Sequence, residues 1–552
     1  MAVQVQVQDP LIVALAAVSS FKHALIGLSV VLIYLLVKRI NNLIVERQFA
    51  RKCGAVRLPN RSEDPLGVRL FWKLYRALKA HKVLEQAKDY HNEFGTTFGT
   101  RILGAIHTNT IDPENIKAVL ATQFNDFDLG RYEAFYPLLG DGIFTLDHQA
   151  WSRSRALLRP QFSRQQVSDV AKLEPHVQNL IACMPCTATE SCDIQQLFYK
   201  MTMDSATEFL FGESVNSLKL TSADEDIANL QRKSKEEIAA VASGVGKQGF
   251  AYAFNYSQEV VSFRVLLQSW YWLMNTTKFR DSNAIVHRFV DYYVSKALDH
   301  HRVSVEQKKQ GEVVMSERYV FLDALVEETQ NPKILRDQLL NILLAGRDTT
   351  AGLLSWVFYL LARHPRVFEK LRTEIIDAFG DRPNAPGKKP INFETLKNVT
   401  YLRHVLNEVL RLYPSVPQNF RVANKDTTLP RGGGADGQSP VLVRKGEKVF
   451  YSVWVMHRRK DLFGDDADNF RPERWAEGRV WMWEYLPFNG GPRICLGQQY
   501  ALTEAGYAVV RLLQEFDTLE STDLPEKDGV PSKRSLLTMS NANGVHVRLY
   551  KK

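Results

Sequence analysis

Cysteine is scarce in this chain: five in 552 residues, at positions 53, 183, 186, 192 and 495. An odd number spread so thinly excludes the disulfide framework of a small secreted protein and suits a reducing compartment. Cys183-Met-Pro-Cys186 with Cys192 has no second pair nearby, so a four-ligand zinc site is not expected there. No zinc-finger spacing and no basic zipper is present, which removes nucleic acid as an expected partner. There is no internal repeat. No P-loop and no G-x-G-x-x-G turn opens a helix. The glycine run in Pro430-Arg-Gly-Gly-Gly-Ala-Asp-Gly lies between short apolar stretches and reads as a hairpin loop. A chain without a flavin or nicotinamide fingerprint must receive any electrons from another protein.

What is present is an ordinary folded composition, with 45% apolar and 24% charged residues and a net charge of +9. That moderate excess fits an anionic membrane face or an acidic protein partner. Residues 10–37 are almost wholly apolar, interrupted at Lys22-His23. The first charge before Lys22 is Asp9, so the basic leader of a cleaved signal peptide is missing. The reading is a single-pass anchor over residues 1–39, with a hairpin bent at Lys22-His23 as the alternative. Lys38, Arg39, Arg47, Arg51, Lys52 and Arg57 follow the apolar run and would keep the remainder cytosolic. Asn60, Asn255, Asn275 and Asn398 head glycosylation sequons that a cytosolic domain leaves bare. Residues 40–66 form a polar, basic hinge, and residues 67–552 the catalytic domain.

From 67 to 420 the patterns are mainly helical, with one early strand-like stretch at Phe98 to Ile111. The longest helix candidate runs from Asn331 to Arg363, with Asn331-Pro332 as its start and His364-Pro365 as its stop. Leu339 to Leu361 is apolar or small nearly throughout, the mark of a helix buried on all sides. Arg347-Asp348-Thr349-Thr350 at its centre makes a membrane span expensive. Two readings of that polar segment stand: a kink with satisfied groups, or a site beside which Ala345 and Gly346 leave room for something large and flat.

The sharpest feature is Phe488-Asn-Gly-Gly-Pro-Arg-Ile-Cys-Leu-Gly497. Glycines let backbone amides close on a sulfur, and a helical pattern from Gln498 to Phe516 adds its positive N-terminal end. A cysteine in such a loop is placed for use as a thiolate. This segment matches every fixed position of F-x-x-G-x-R-x-C-x-G and so resembles the haem-binding signature of the cytochromes P-450.

The resemblance extends over about residues 67–549. It implies a mainly α fold with small β-sheets and a long central helix. Cys495 would be the metal ligand to a haem b iron. Glu408 and Arg411, with Arg474 of Phe470-Arg-Pro-Glu-Arg-Trp475, resemble the family's structural E-x-x-R and P-E-R network. Trp151, Arg155, Arg421 and Arg493 would meet the haem propionates. Asp348 and Thr349 resemble the acid–alcohol pair that delivers protons. The implied substrate pocket takes in Tyr132 and Phe135 as roof, Leu344 and Ala345 as lining, and Val416 to Phe420 as closure; ordinary core packing explains the same residues equally well.

Asp126 to Leu146, Thr207 to Val215 and Glu408 to Arg421 resemble the fungal alkane and fatty-acid hydroxylase branch. Two departures stand out: Asp147-His148-Gln149 where a glycine is expected, and a proline-poor segment from Cys53 to Pro59. The activity implied is monooxygenation of a lipophilic substrate at or near the end of an alkyl chain, with tailoring of a secondary metabolite as the alternative. A haem protein without oxygenase activity is a third reading, against which Asp348-Thr349 speaks. The implied partners are NADPH–cytochrome P-450 reductase and the lipid bilayer. The implied location is the endoplasmic reticulum membrane, facing the cytosol.

Overall fold

The computed structural model describes residues 10–163, 169–185, 187–219, 246–310, 320–523 and 529–551. Helix α1 (Pro10–Cys53) runs unbroken through Lys22-His23, so the bent hairpin does not form. Its stretch Ile26–Cys53 is long and apolar enough to cross a membrane. Ile26, Ile33 and Val37 stand 62%, 61% and 59% exposed, an apolar surface suited to lipid. The helix continues past the apolar run into residues 40–53, which the sequence had suggested as part of a hinge. Nothing from Ile40 to Cys53 breaks a helix, and Arg51 and Lys52 suit its negative end. Gly54, at φ +61°, ends it. Glu46 then pairs with Arg444 at 3.1 Å, and Arg57 with Glu447 at 2.8 Å, tying this end to the folded body.

After α1 come α2 (Val68–Lys79), strands β1 (Thr97–Ile102) and β2 (Ala105–Thr110), and the short β3 (Phe127–Asp128). Helices α3 (Tyr132–Leu139), α4 (His148–Leu158), α5 (Ile194–Phe211), α6 (Gly246–Leu266) and α7 (Thr277–Lys309) follow. Then come α8 (Pro332–Leu361), α9 (Thr400–Leu412), β4 (Gln418–Ala423), β5 (Thr427–Gly433), β6 (Ser439–Val443), β7 (Lys448–Ser452) and α10 (Gln498–Glu515).

The main sheet has the order β1-β2-β7-β4-β3, and only the β2–β7 pair is parallel. The single stretch expected at Phe98 to Ile111 is a hairpin, because Leu103 and Gly104 both take positive φ, 47° and 85°. A leucine in that conformation carries no sequence signal. The glycine run after Pro430 does lie in a hairpin, between β5 and β6.

Helix α8 starts where Asn331 and Pro332 place it: the Asn331 side chain accepts from the N–H groups of Lys333 and Ile334. Its 30 residues span about 45 Å. It is not the longest helix; α1 has 44 residues and α7 has 33, and charged faces hid α7 from an apolar pattern search. The first half of α8, to Leu344, belongs to one buried apolar cluster and Ala351 to Leu361 to another. The polar segment lies between the two, where a functional side chain can be exposed without breaching either core.

Glu408 on α9 is fully buried and receives Arg411 through two bonds, at 2.9 and 2.8 Å. Arg474 reaches the same carboxylate at 2.9 Å, Trp475 at 3.1 Å and the Arg471 amide at 3.0 Å. Arg411 in turn holds the carbonyl of His457 at 2.8 Å. Such a network is stable only when complete, since one missing member leaves buried charge uncompensated. Glu408→Ala is therefore expected to lower the unfolding free energy by about 3–5 kcal/mol. Thermal melting of the detergent-solubilised protein checks this, and a loss under about 1 kcal/mol contradicts it.

Candidate active site

The loop from Phe488 to Gly497 is held by two backbone bonds. The Cys495 amide donates to Phe488 O at 3.0 Å, and Ile494 to Gly491 O at 3.0 Å. Gly491, at φ +68°, lies so close to the 118–122 helix that a Cβ would sit 1.9 Å from Leu120 O. Only glycine permits that approach. Burial pushes the Cys495 thiol up; the Gly497 amide and Arg155 act against that, favouring thiolate. Helix α10 begins at the next residue and adds its N-terminal dipole.

Cys495 lies in the wall of a cavity of about 310 Å³. Across from it α8 contributes Leu344, Ala345, Gly346 and Thr349. Gly346 leaves open space where a Cβ would be, so the α8 wall is low at its centre. On one side gather Arg131, Trp151, Arg155, Arg421 and Arg493. Arg493 lies 4.2 Å over the Trp151 ring, and its Nη2 bonds Asp147 at 2.7 Å. Arg131 donates to Asn419 Oδ1 at 2.7 Å. Burial first, and Arg421 next, pull Arg131 down to about 10; burial, with Arg421, Arg131 and Arg155 and against Asp147, brings Arg493 to about 9. Buried Trp151 Nε1 and Arg131 Nε have no protein partner.

This cluster has more donors than acceptors: Trp151 Nε1 and Arg131 Nε are left over. Two carboxylates on a flat macrocycle would satisfy it, with the sulfur of Cys495 free to meet a central iron. The residues present therefore fit a haem. Arg131 had gone unnoticed in the sequence, where Leu129-Gly-Arg-Tyr reads as a surface turn; burial alone brings it to the cluster. The departure at Asp147-His148 also finds its reason. His148 takes φ +50°, the conformation glycine adopts most cheaply, and Asp147 accepts from Arg493 and from the Leu129 amide at 3.0 Å.

Asp348 and Thr349 diverge from adjacent positions. Thr349 borders the cavity and donates back to Ala345 O at 2.7 Å, while its carbonyl accepts from Ser415 at 3.1 Å. Asp348 is buried beside Arg347, at 3.3 Å. Burial raises its carboxyl, against the pull of Arg347, the Gln258 side chain of α6 and Arg534.

Of the pocket residues expected, Phe135, Leu344, Ala345 and Val416 line the cavity. Tyr132 does not. It is 40% exposed in the first turn of α3, with its hydroxyl on Asp141 at 3.1 Å. Phe420 lines a neighbouring cavity instead, because successive side chains on β4 alternate and Asn419 and Arg421 take the inner face. Cys183 donates to Leu218 O at 3.3 Å, and Cys186 lies outside the described residues.

The cysteine loop, the arginine cluster and the interrupted central helix define a haem-thiolate protein. Comparison with known proteins agrees: the family model described as Cytochrome P450 matches residues 63–545. Cytochrome P450 52A5 of Candida maltosa is 56% identical over 445 residues, 80% of each chain. Cytochrome P450 52A13 of Debaryomyces hansenii is 52% identical over 482 residues, 87% of this chain and 89% of its own. Cytochrome P450 52A1 of Candida tropicalis is 52% identical over 457 residues, 82% of this chain and 80% of its own. The chain belongs to the cytochrome P450 family and is a haem-dependent monooxygenase supplied with electrons by a separate reductase.

Arg131→Ala removes a cation whose Nε faces no protein acceptor. It is expected to speed haem loss about tenfold, the equivalent of one charge-assisted bond of roughly 1.4 kcal/mol. Haem transfer to an apoglobin acceptor measures it; an unchanged rate would remove Arg131 from the propionate cluster.

Proposed function

We propose that this protein hydroxylates the terminal or near-terminal carbon of an alkane or fatty-acid chain. In this reading residues 1–39 anchor it in the endoplasmic reticulum membrane, residues 40–66 connect, and residues 67–552 work on the cytosolic side. The observation that carries the substrate class is the course of the cavities. The one beside Cys495 shares the lining residues Arg131, Phe135, Val416, Asn419, Tyr451 and Leu537 with a second, of about 280 Å³. The second is walled by Leu70, Leu74 and Leu78 of α2 and by the end of α6. Trp72 of α2 and Trp270, Trp272 and Leu273 of the short 268–274 helix that follows α6 are exposed, at 52%, 50%, 54% and 54%. Aromatics of this kind suit a lipid interface, so a long apolar chain has a path from bilayer to Cys495 without crossing water.

Cys495 would hold the haem iron, and Trp151, Arg155, Arg421 and Arg493 its propionates. When bound, the haem would supply activation of O2, one atom entering the C–H bond as hydroxyl while the other leaves as water with two protons and two electrons that the reductase passes on from NADPH. Thr349 positions a proton donor on the cavity side of α8. Asp348, its carboxyl raised by burial, relays protons from the side that faces α6. Leu344, Ala345 and Val416 keep the reacting carbon dry and close.

Incubation with reductase, NADPH and either hexadecane or dodecanoate tests the reading. The expected products are the primary alcohol and the terminal hydroxy acid. Turnover confined to mid-chain positions, or none with either compound, contradicts it.

A further inference from the structure

Between α3 and α4 the chain runs from Gly140 to Asp147 without helix or strand. Ile143 and Phe144, in its middle, line the cavity that Cys495 also lines. Three polar residues of α8 hold this connection, although that half of α8 otherwise belongs to an apolar cluster. Asp337, Gln338 and Asn341 are 0%, 3% and 0% exposed. The Asp141 amide donates to Asp337 Oδ2 at 2.9 Å, and the Phe144 amide to Asn341 Oδ1 at 3.0 Å. Asn341 Nδ2 donates in return to Leu139 O at 3.0 Å, and Gln338 Nε2 to Asp141 O at 3.3 Å. The far end is tied to the cysteine loop: Arg493 donates to Leu146 O at 3.0 Å and to Ile143 O at 3.4 Å. The contact with α8 leaves no slack. A Cβ on Gly140 would meet Asp337 Cγ at 2.1 Å, and one on Gly142 would meet Asn341 Nδ2 at 2.1 Å.

A buried connection without regular structure needs partners for its amides. Thr145 supplies one from within, its hydroxyl accepting from the Gly142 amide at 2.8 Å. The Phe144 amide takes its partner from α8 instead, and that choice adds direction. Apolar contacts slide, whereas an amide aimed at one oxygen keeps its place. Asn341 lies one helical turn before Ala345, on the same face, and Ala345 lines the cavity. Two walls of the cavity are thus set against each other through a single side chain. We propose that Asn341 is a positioning residue: by fixing Ile143 and Phe144 relative to Ala345 it decides how an alkyl chain lies before Cys495, and so which carbon reacts. Asn341 does not itself line the cavity and acts only through the residues it holds. Asp337, paired with Lys333 at 2.8 Å and Arg336 at 3.1 Å, anchors the outer end of the same connection.

The inference rests on the alkyl-chain reading above, and its test separates the two. Full-length holoenzyme is incubated with reductase, NADPH and dodecanoate, and the terminal and inner hydroxy acids are resolved by gas chromatography and mass spectrometry. Asn341→Leu is expected to take up haem with the thiolate-type carbon monoxide band and to lower the ratio of terminal to inner products about tenfold. Gly142→Ala, which crowds Asn341 from the other side and keeps every hydrogen-bonding group, is expected to shift the ratio the same way. Asn341→Leu combined with Phe144→Ala is expected to give a ratio within about twofold of Phe144→Ala alone, because Asn341 acts through that side chain. A wild-type ratio in Asn341→Leu, or effects that add in full in the double variant, overturns the positioning role while the alkyl-chain reading stands. If Asn341→Leu takes up no haem, a wild-type ratio in Gly142→Ala overturns it equally. Wild type that yields inner products alone, or none, overturns the alkyl-chain reading and this inference with it.

Discussion

A sulfur inside a protein resists ionisation, and the placing of Cys495 turns on overcoming that resistance. Burial raises the thiol; the Gly497 amide and Arg155 work the other way. Each countermeasure constrains something else. The amide is available because the loop closes through Phe488 and Gly491. The loop closes because Gly491 can approach Leu120 without a side chain. Its far end is fixed because α10 starts at Gln498. The Glu408 network braces the segment from His457 to Trp475, which leads into this loop.

The opposite wall of the cavity follows a different logic. Helix α8 carries apolar clusters on either side of a polar middle, so these hold it while the segment Ala345 to Thr350 is left to serve the cavity. Adjacent residues then take separate tasks. Thr349 faces the cavity and Asp348 faces α6, which puts a carboxyl group behind the wall and an alcohol in front of it. The arginine cluster supplies the third side. Its excess positive charge has meaning only with an anion present, and this is what ties a flat dicarboxylate to the sulfur.

Features fixed by short-range spacing were legible before any coordinates. The Cys495 loop, the Asn331-Pro332 start of α8 and the pairing of Glu408 with Arg411 each lie within one or two turns of chain, and each is where the spacing put it. What escaped depends on distant contacts or on direction. Arg131 looks like a turn residue until burial beside Arg421 is known. Tyr132 and Phe420 were right in region but wrong in aim, since two helix positions or one strand residue turn a side chain to the opposite face. Helix α1 ran longer than its apolar core, since hydropathy marks what lipid can cover and says nothing of where a helix stops.

The central claim is that Cys495 is the axial sulfur of a haem held by this loop, and the carbon monoxide spectrum of the reduced protein tests it most directly. A thiolate-ligated haem gives a strongly red-shifted Soret band, which Cys495→His should abolish while the arginine cluster still retains haem. A wild-type spectrum of the histidine-ligated kind, or a shifted band that survives Cys495→His, would contradict the account.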